Sequence, residues 1–200
     1  MINCMTKVDA AIKKADSCMN LGGKQIASKL MRGRVLKWFG ILNDDQYDHV
    51  KDVIRCMGMG VAKGKLILTY HTTEKAPGLY GEAQPPAKSG WAAQEPWDFA
   101  RVAYRIDIYP PIWDLDQDRT GRLGPKSALM HELSHIYGNT NDIKESHVAG
   151  TQKVTEVGTG EVYYGPYWAA ELKRNHPGLG IWNAENYALF LRTFLDPPIF

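Results

Sequence analysis

The chain has no apolar run long enough to span a bilayer, only three cysteines in 200 residues, and no block of like charge. Each shortage removes a class of protein. A transmembrane helix needs about 20 consecutive apolar residues, so no membrane insertion is expected. The opening stretch MINCMTKVDAAIKKADSC places lysines and aspartates where a secretory leader carries an unbroken apolar segment. The expectation is a chain without a signal peptide, either cytoplasmic or exported by a specialised secretion system. Cys4, Cys18 and Cys56 are odd in number and all fall in the first 56 residues, which makes no disulfide framework for the whole chain and suits a reducing compartment. Lys and Arg total 24 against 22 Asp and Glu, and the net charge of +2 is spread along the chain, so no basic footprint for nucleic acid is present. Internal repeats and low-complexity tracts are also missing.

What is there suits one globular domain. With 44% hydrophobic residues the chain can bury a sizeable core, and the reading is a single domain over 1–200, residues 1–30 being either part of it or a helical appendage. Val8, Ile12, Ala15 and Met19 recur at helical spacing until Gly22 and Gly23 stop them. A second helix is expected at 25–39. Asn43 or Asp44 can cap a third, whose stripe of Tyr47, Val50, Ile54 and Met57 ends before Gly58 and Gly60. KLILTYH (65–71) and RVAYRIDIY (101–109) read as strands of one sheet, the second alternating Val102, Tyr104, Ile106 and Ile108 with Arg101, Ala103, Arg105 and Asp107. The Gly/Pro-rich stretch 75–97 between them reads as an irregular functional loop. A polar turn (114–124) leads to the segment SALMHELSHIYG (127–138), followed by a loop or hairpin and then helices at 166–175 and 184–195. Trp38, Trp113, Trp168 and Trp182 read as core or cleft wall. Helices around a small sheet make an α+β domain.

The segment HELSH carries the chemistry. His131 and His135 stand four residues apart, slightly more than one helical turn, so both imidazoles reach one ion from the same helix face, and zinc is the natural occupant. Catalytic zinc takes three protein ligands and keeps a fourth position open, so a third side chain is required. In an H-E-x-x-H helix the glutamate after the first histidine is a base, which assigns Glu132 to proton transfer in the hydrolysis of a carbonyl substrate. Ala128, Leu129, Leu133 and Ile136 form the apolar stripe that buries the other side of the helix, and Gly138 ends it.

HELSH, GTGEVYYG (158–165) and NAENYALF (183–190) occur in the order and form of the aspzincin zinc metallopeptidases, the group of deuterolysin and the peptidyl-lysine metalloendopeptidases. That family pairs HExxH with a GTxDxxYG segment and a later N-A-D motif. LKWFG with the helix after it, and RIDIYPPIW ahead of the motif helix, extend the similarity, which spans roughly residues 30 to 195. The resemblance implies a zincin-like fold, with a helical amino-terminal part and a small mixed sheet beside the HExxH helix. It implies a zinc endopeptidase acting on a protein or peptide substrate. Carried over by position, it makes Glu161 the third zinc ligand, Tyr164 the tyrosine that steadies the oxyanion, and Glu185 a substrate-binding acid that favours a basic residue after the scissile bond.

The chain departs from the family pattern at several points. Glu161 and Glu185 stand where the family has Asp, Ala188 stands where lysine-specific members carry a partner acid, and the spacer from His135 to Glu161 (161 − 135 = 26 positions) is longer than in the fungal enzymes. Residues 139–157 therefore read as an inserted loop beside the cleft. Asp142 and His147 within it, and Glu171 on the helix that follows, compete with Glu161 as third ligand. Their ordinary roles are a helix-exit turn for Asp142 and a surface loop position for His147. Tyr164 is otherwise a packed aromatic, and Glu185 otherwise a carboxylate at a helix amino terminus. The leaderless start and the insertion suggest a bacterial toxin or effector, with an immunity or inhibitor protein as a further partner. A zinc amidase acting on cell-wall peptides and a zinc-binding module without turnover remain as alternative functions.

Overall fold

A computed structural model describes residues 2–20, 25–76, 79, 81–84, 103–110, 124–154 and 156–195. Three helices lead: α1 (Ile2–Asn20), α2 (Gln25–Phe39) and α3 (Asp44–Lys63). The start of α3 follows from its first residues. Asn43 accepts the Gln46 N–H at 2.9 Å, and the Gln46 side chain accepts the Asn43 N–H at 3.1 Å, a reciprocal cap that satisfies two otherwise unpaired donors. Asp44 and Asp45 in the first turn and Lys63 in the last add favourable interactions with the helix dipole. Gly58 and Gly60 do not end this helix as the sequence suggested. Gly60 instead lets α3 approach its neighbour, since a Cβ there would meet the Tyr137 ring at 2.3 Å.

Among the described residues the sheet has three strands, β1 (Lys65–Tyr70), β2 (Gly81–Gln84) and β3 (Ala103–Ile108), in the spatial order β1, β3, β2. β1 runs parallel to β3, with Leu66 opposite Tyr104 and Leu68 opposite Ile106. β2 runs antiparallel to β3, with Ala83 opposite Ile106. The sheet is therefore mixed, and β2 is a strand inside the stretch expected to be irregular. Its four residues, Gly81 to Gln84, carry no apolar alternation, and the backbone ladder to β3 holds them. The rest of the Gly/Pro-rich stretch (77–78, 80 and 85–97), the polar turn at 114–123 and Trp113 lie outside the described residues.

On β3, Tyr104, Ile106 and Ile108 face the core. Asp107 is also buried, at 1% exposure, because other side chains cover it on the outer face. Arg105 donates to both its oxygens, at 2.8 and 2.7 Å, and His71 lies 2.9 Å from Oδ1. Burial raises the Asp107 pKa, but Arg105 and His71 outweigh burial and hold it below the usual carboxylate value.

After the sheet come α4 (Pro125–Gly138), short α5 (Glu145–Val148), α6 (Gly165–Asn175), short α7 (Pro177–Gly180) and α8 (Ala184–Arg192). α4 packs against α3, α8 and β2. One core contains Ile12 and Ala15 of α1, Val35 and Phe39 of α2, Ile54 and Met57 of α3, Leu129 and Leu133 of α4, and Tyr187 and Phe190 of α8, so α1 is integral to it. Trp38 and Trp182 pack against this core, whereas Trp168 is 44% exposed. Among the described residues, no helix is long and apolar enough to cross a membrane.

Candidate metal centre

α4 is buried on almost every side, far beyond the single apolar stripe read from the sequence. Pro125 at its first turn is preset for helix and has no N–H to leave unpaired. Asn139 ends it in the left-handed conformation, φ 52°, with its N–H on the Ser134 carbonyl. The chain then turns back over the helix, so Thr140 and Asp142 return to the face that carries the two histidines.

Three atoms converge there. His131 Nε2 lies 3.1 Å from His135 Nε2 and 3.1 Å from Asp142 Oδ1, and His135 Nε2 lies 3.4 Å from the same oxygen. Both rings are held from behind. His135 Nδ1 donates to the Thr140 carbonyl at 2.9 Å, and His131 Nδ1 faces Glu185 Oε2 at 3.3 Å. A carbonyl and a carboxylate only accept, so each ring carries a proton on Nδ1 and turns Nε2 inward. Two ring nitrogens and a carboxylate oxygen that face one spot favour a positive charge between them. Four ligands about 2.0–2.1 Å from a tetrahedral zinc ion stand about 3.3–3.4 Å apart, so the observed triangle fits three corners of such a site. His131, His135 and Asp142 are also the one group of this kind among the described residues.

The surrounding carboxylates favour positive charge at this spot. Burial alone favours neutral imidazoles, but Asp142 and Glu185 outweigh it at His131, whose pKa is held well above the usual value, and Asp142 raises that of His135. The Asp142 carboxyl is held well below the usual range, because the two histidines overcome the burial that would raise it.

Glu132 occupies the next position on the helix and points to the cleft. Its Oε2 accepts the Ala83 N–H at 2.7 Å, so the backbone of β2 fixes the carboxylate. Tyr164 precedes α6. Its hydroxyl donates to Asp142 Oδ2 at 2.9 Å, and its ring stands edge-on to His131 at 5.5 Å. Burial, then Asp142, push the Tyr164 pKa above the ordinary phenol value, so it keeps its proton and acts as a donor. Glu132, His135, Asp142 and Tyr164 share a cleft of about 550 Å³, walled by Gly81, Glu82 and Ala83 on one side and by Val154, Glu156 and Val157 on the other.

The structure brings together five of the sequence-derived candidates and leaves others outside. Glu161 does not join the histidines. It precedes Val162, which forms an antiparallel bridge with Lys144; its carbonyl accepts the Glu145 N–H and its side chain is exposed. Asp142 stands in its place. His147 is buried and not on the surface: Nδ1 accepts the Lys144 N–H at 3.0 Å, and Nε2 donates to the Glu156 carbonyl at 3.1 Å. Glu171 pairs with Arg174 and Asn175 on α6. Glu185 is fully buried behind His131, with both oxygens engaged, and is not among the residues lining the cleft.

A usable signal for Asp142 was present. Thr140, Asn141 and Asp142 carry the T-x-D half of the GTxDxxYG pattern, with left-handed Asn139 where the pattern has glycine. Tyr164 and Gly165 carry the Y-G half. Residues 143–163 separate the two halves, and the GTGE sequence inside them imitates the first.

No known protein-family profile matches the chain, and no curated protein sequence matches it. Among solved structures the chain is similar to a zinc peptidase from Grifola frondosa, with a TM-score of 0.54 and 18% identity over 96% of this chain and 95% of that one. At this identity the likeness is one of fold, and it extends over nearly the whole of both chains.

Proposed function

We propose that the chain is a zinc-dependent endopeptidase in which His131, His135 and Asp142 hold the metal. The convergence of three potential ligand atoms beside Glu132 on an open cleft carries this reading. The fold it shares with a zinc peptidase supports it. Zinc at this position would polarise a substrate carbonyl and acidify a water molecule.

The protein's own groups then have distinct tasks. Glu132, aimed by the Ala83 N–H, takes a proton from the attacking water and passes it to the departing amine. The Tyr164 hydroxyl is placed to donate to the carbonyl oxygen as negative charge develops on it. Among the described residues β2 lies at the edge of the sheet, where it offers backbone groups to an extended peptide that would lie between that edge and the wall of Val154, Glu156 and Val157. Glu185 plays no part in reading a basic substrate residue, because its carboxylate is already engaged.

Mass-spectrometric mapping of cleavage sites in a denatured protein mixture tests the proposal, with wild type and Glu132→Gln at equal zinc loading. Cuts by the wild type, and a loss of at least about a hundredfold in the variant, are expected. A folded, zinc-loaded wild type that makes no cuts overturns the endopeptidase reading.

A further inference from the structure

Glu185 is the least expected member of the site. It sits in the first turn of α8 and is fully buried, a costly place for a carboxylate unless both oxygens are satisfied. They are: Oε2 faces His131 Nδ1 at 3.3 Å, and Oε1 accepts the Gly165 N–H at 3.1 Å. The first contact orients a proposed metal ligand. The second fixes the residue that follows Tyr164. Asn183, two residues earlier, accepts the Ile143 N–H at 3.3 Å, and Ala184 donates to the Asn141 carbonyl at 3.0 Å. The start of α8 therefore grips the chain on both sides of the excursion 143–163, next to Asp142 and next to Tyr164.

We infer that Glu185 is a positioning residue: it holds the Nδ1 proton of His131 so that Nε2 is presented to the metal, and through Gly165 it ties Tyr164 to the same carboxylate. The inference rests on the proposed His131, His135 and Asp142 ligand set. A carboxylate behind a ligating imidazole fixes its tautomer and ring orientation and raises its basicity, and loss of such a partner weakens metal binding by about ten- to a hundredfold. Glutamine has the same shape, but its amide can accept from only one of the two N–H groups through oxygen and turns its own N–H₂ toward the other.

The test is the zinc affinity of the full chain, measured by competition with a chromophoric chelator for wild type, Glu185→Gln and, as a remote-acid control, Glu171→Gln. Zinc binding by Glu185→Gln weaker by about ten- to a hundredfold per folded molecule, with the control unchanged, supports the inference. A purely structural role would lower the melting temperature and leave that affinity alone. If Glu185→Gln binds zinc within about threefold of wild type, the inference falls while the ligand set stands. If the wild type binds no zinc, the ligand set falls and takes the inference with it. A variant that does not fold is bypassed by long-range ¹H–¹⁵N spectra of histidine-labelled, zinc-loaded wild type. There a His131 ring protonated at Nδ1 and ligated at Nε2 is expected, and the opposite assignment overturns the inference.

Discussion

The two walls of the cleft are built by different means. Gly81, Glu82 and Ala83 are held by backbone pairing of β2 to β3, so that wall depends little on which side chains it carries. The opposite wall, formed by Val154, Glu156 and Val157, belongs to no helix or strand, and side chains hold it in place. The Asn141 amide donates to the carbonyls of Val154 and Glu156, at 3.0 and 2.7 Å. His147 takes the Lys144 N–H and gives its own to Glu156, and Ser146 Oγ accepts the Thr159 N–H at 2.8 Å. A backbone ladder tolerates substitution, whereas a wall built on a few polar side chains can be opened by one mutation. Because Asn141 adjoins Asp142, the second wall and the proposed metal ligand share one support.

His147→Ala is the strongest way to break this comparison. The change strands a buried N–H and a buried carbonyl and leaves a void beneath Gly158, where the imidazole now lies so close that a Cβ would meet it at 2.4 Å. A cost of about 2–4 kcal/mol is expected. In a domain of this size that corresponds to a fall of about 5–10 °C in melting temperature. Limited proteolysis should show new cleavage within 150–157 and none in β2. The sheet-side counterpart, Glu82→Gln, weakens partly exposed contacts with Lys75 and the Tyr109 hydroxyl, and its melting curve should overlay that of wild type. Equal sensitivity of the two walls would show that the loop wall has support beyond its side chains.

The same contrast explains what the sequence made legible. Periodic apolar positions located α1, α2 and α3, the two longer strands and the closing helices, because burial of a stripe is a local property of the chain. The HExxH spacing placed Glu132 and both histidines on one helix face for the same reason. Asp142 was harder to assign, because its role depends on a left-handed Asn139 folding the chain back over α4. Tyr164 reaches the site only after the excursion of residues 143–163. The GTGE sequence at 158–161 matched a motif in letters, but the Thr159 and Glu161 carbonyls accept the Ser146 and Glu145 N–H groups, and the Glu161 side chain is exposed. Glu185 matched a motif too, yet its burial behind His131 came from the packing of α8 on α4, which no spacing encodes.

Asp107 sharpens the comparison from the sheet side, because there a buried side chain is held by charge. Its pKa is lowered in the folded state, so it adds stability at pH values above about 3.9, the unfolded value, and that contribution is lost as pH falls through the folded value. Asp107→Asn should therefore melt below wild type at pH 6, and the gap should close as the pH drops under about 4. A gap that persists unchanged into acid would mean that Arg105 and His71 act through packing and not through charge. In neither case should Glu132 or the 154–157 wall move, since Asp107 lies on the outer face of the sheet.

The smallest expected effect is the most discriminating for the ligand set. Glu161→Gln removes an exposed carboxylate whose backbone, not its side chain, is built into the structure. Zinc affinity and melting temperature should match wild type, while Asp142→Asn, which neutralises the oxygen between His131 and His135, should weaken zinc binding by more than about a hundredfold. The two changes are chemically alike, each a carboxylate made an amide, and they differ only in where the chain carries the group. If Glu161→Gln were the one to lose zinc, the 158–165 segment would have to refold toward the helix. His147 would then lose its Glu156 partner, and the loop wall would open with it. Normal protection of the 154–157 amides in that variant would exclude such a rearrangement, because the proposed ligand and the wall rest on the same side chains.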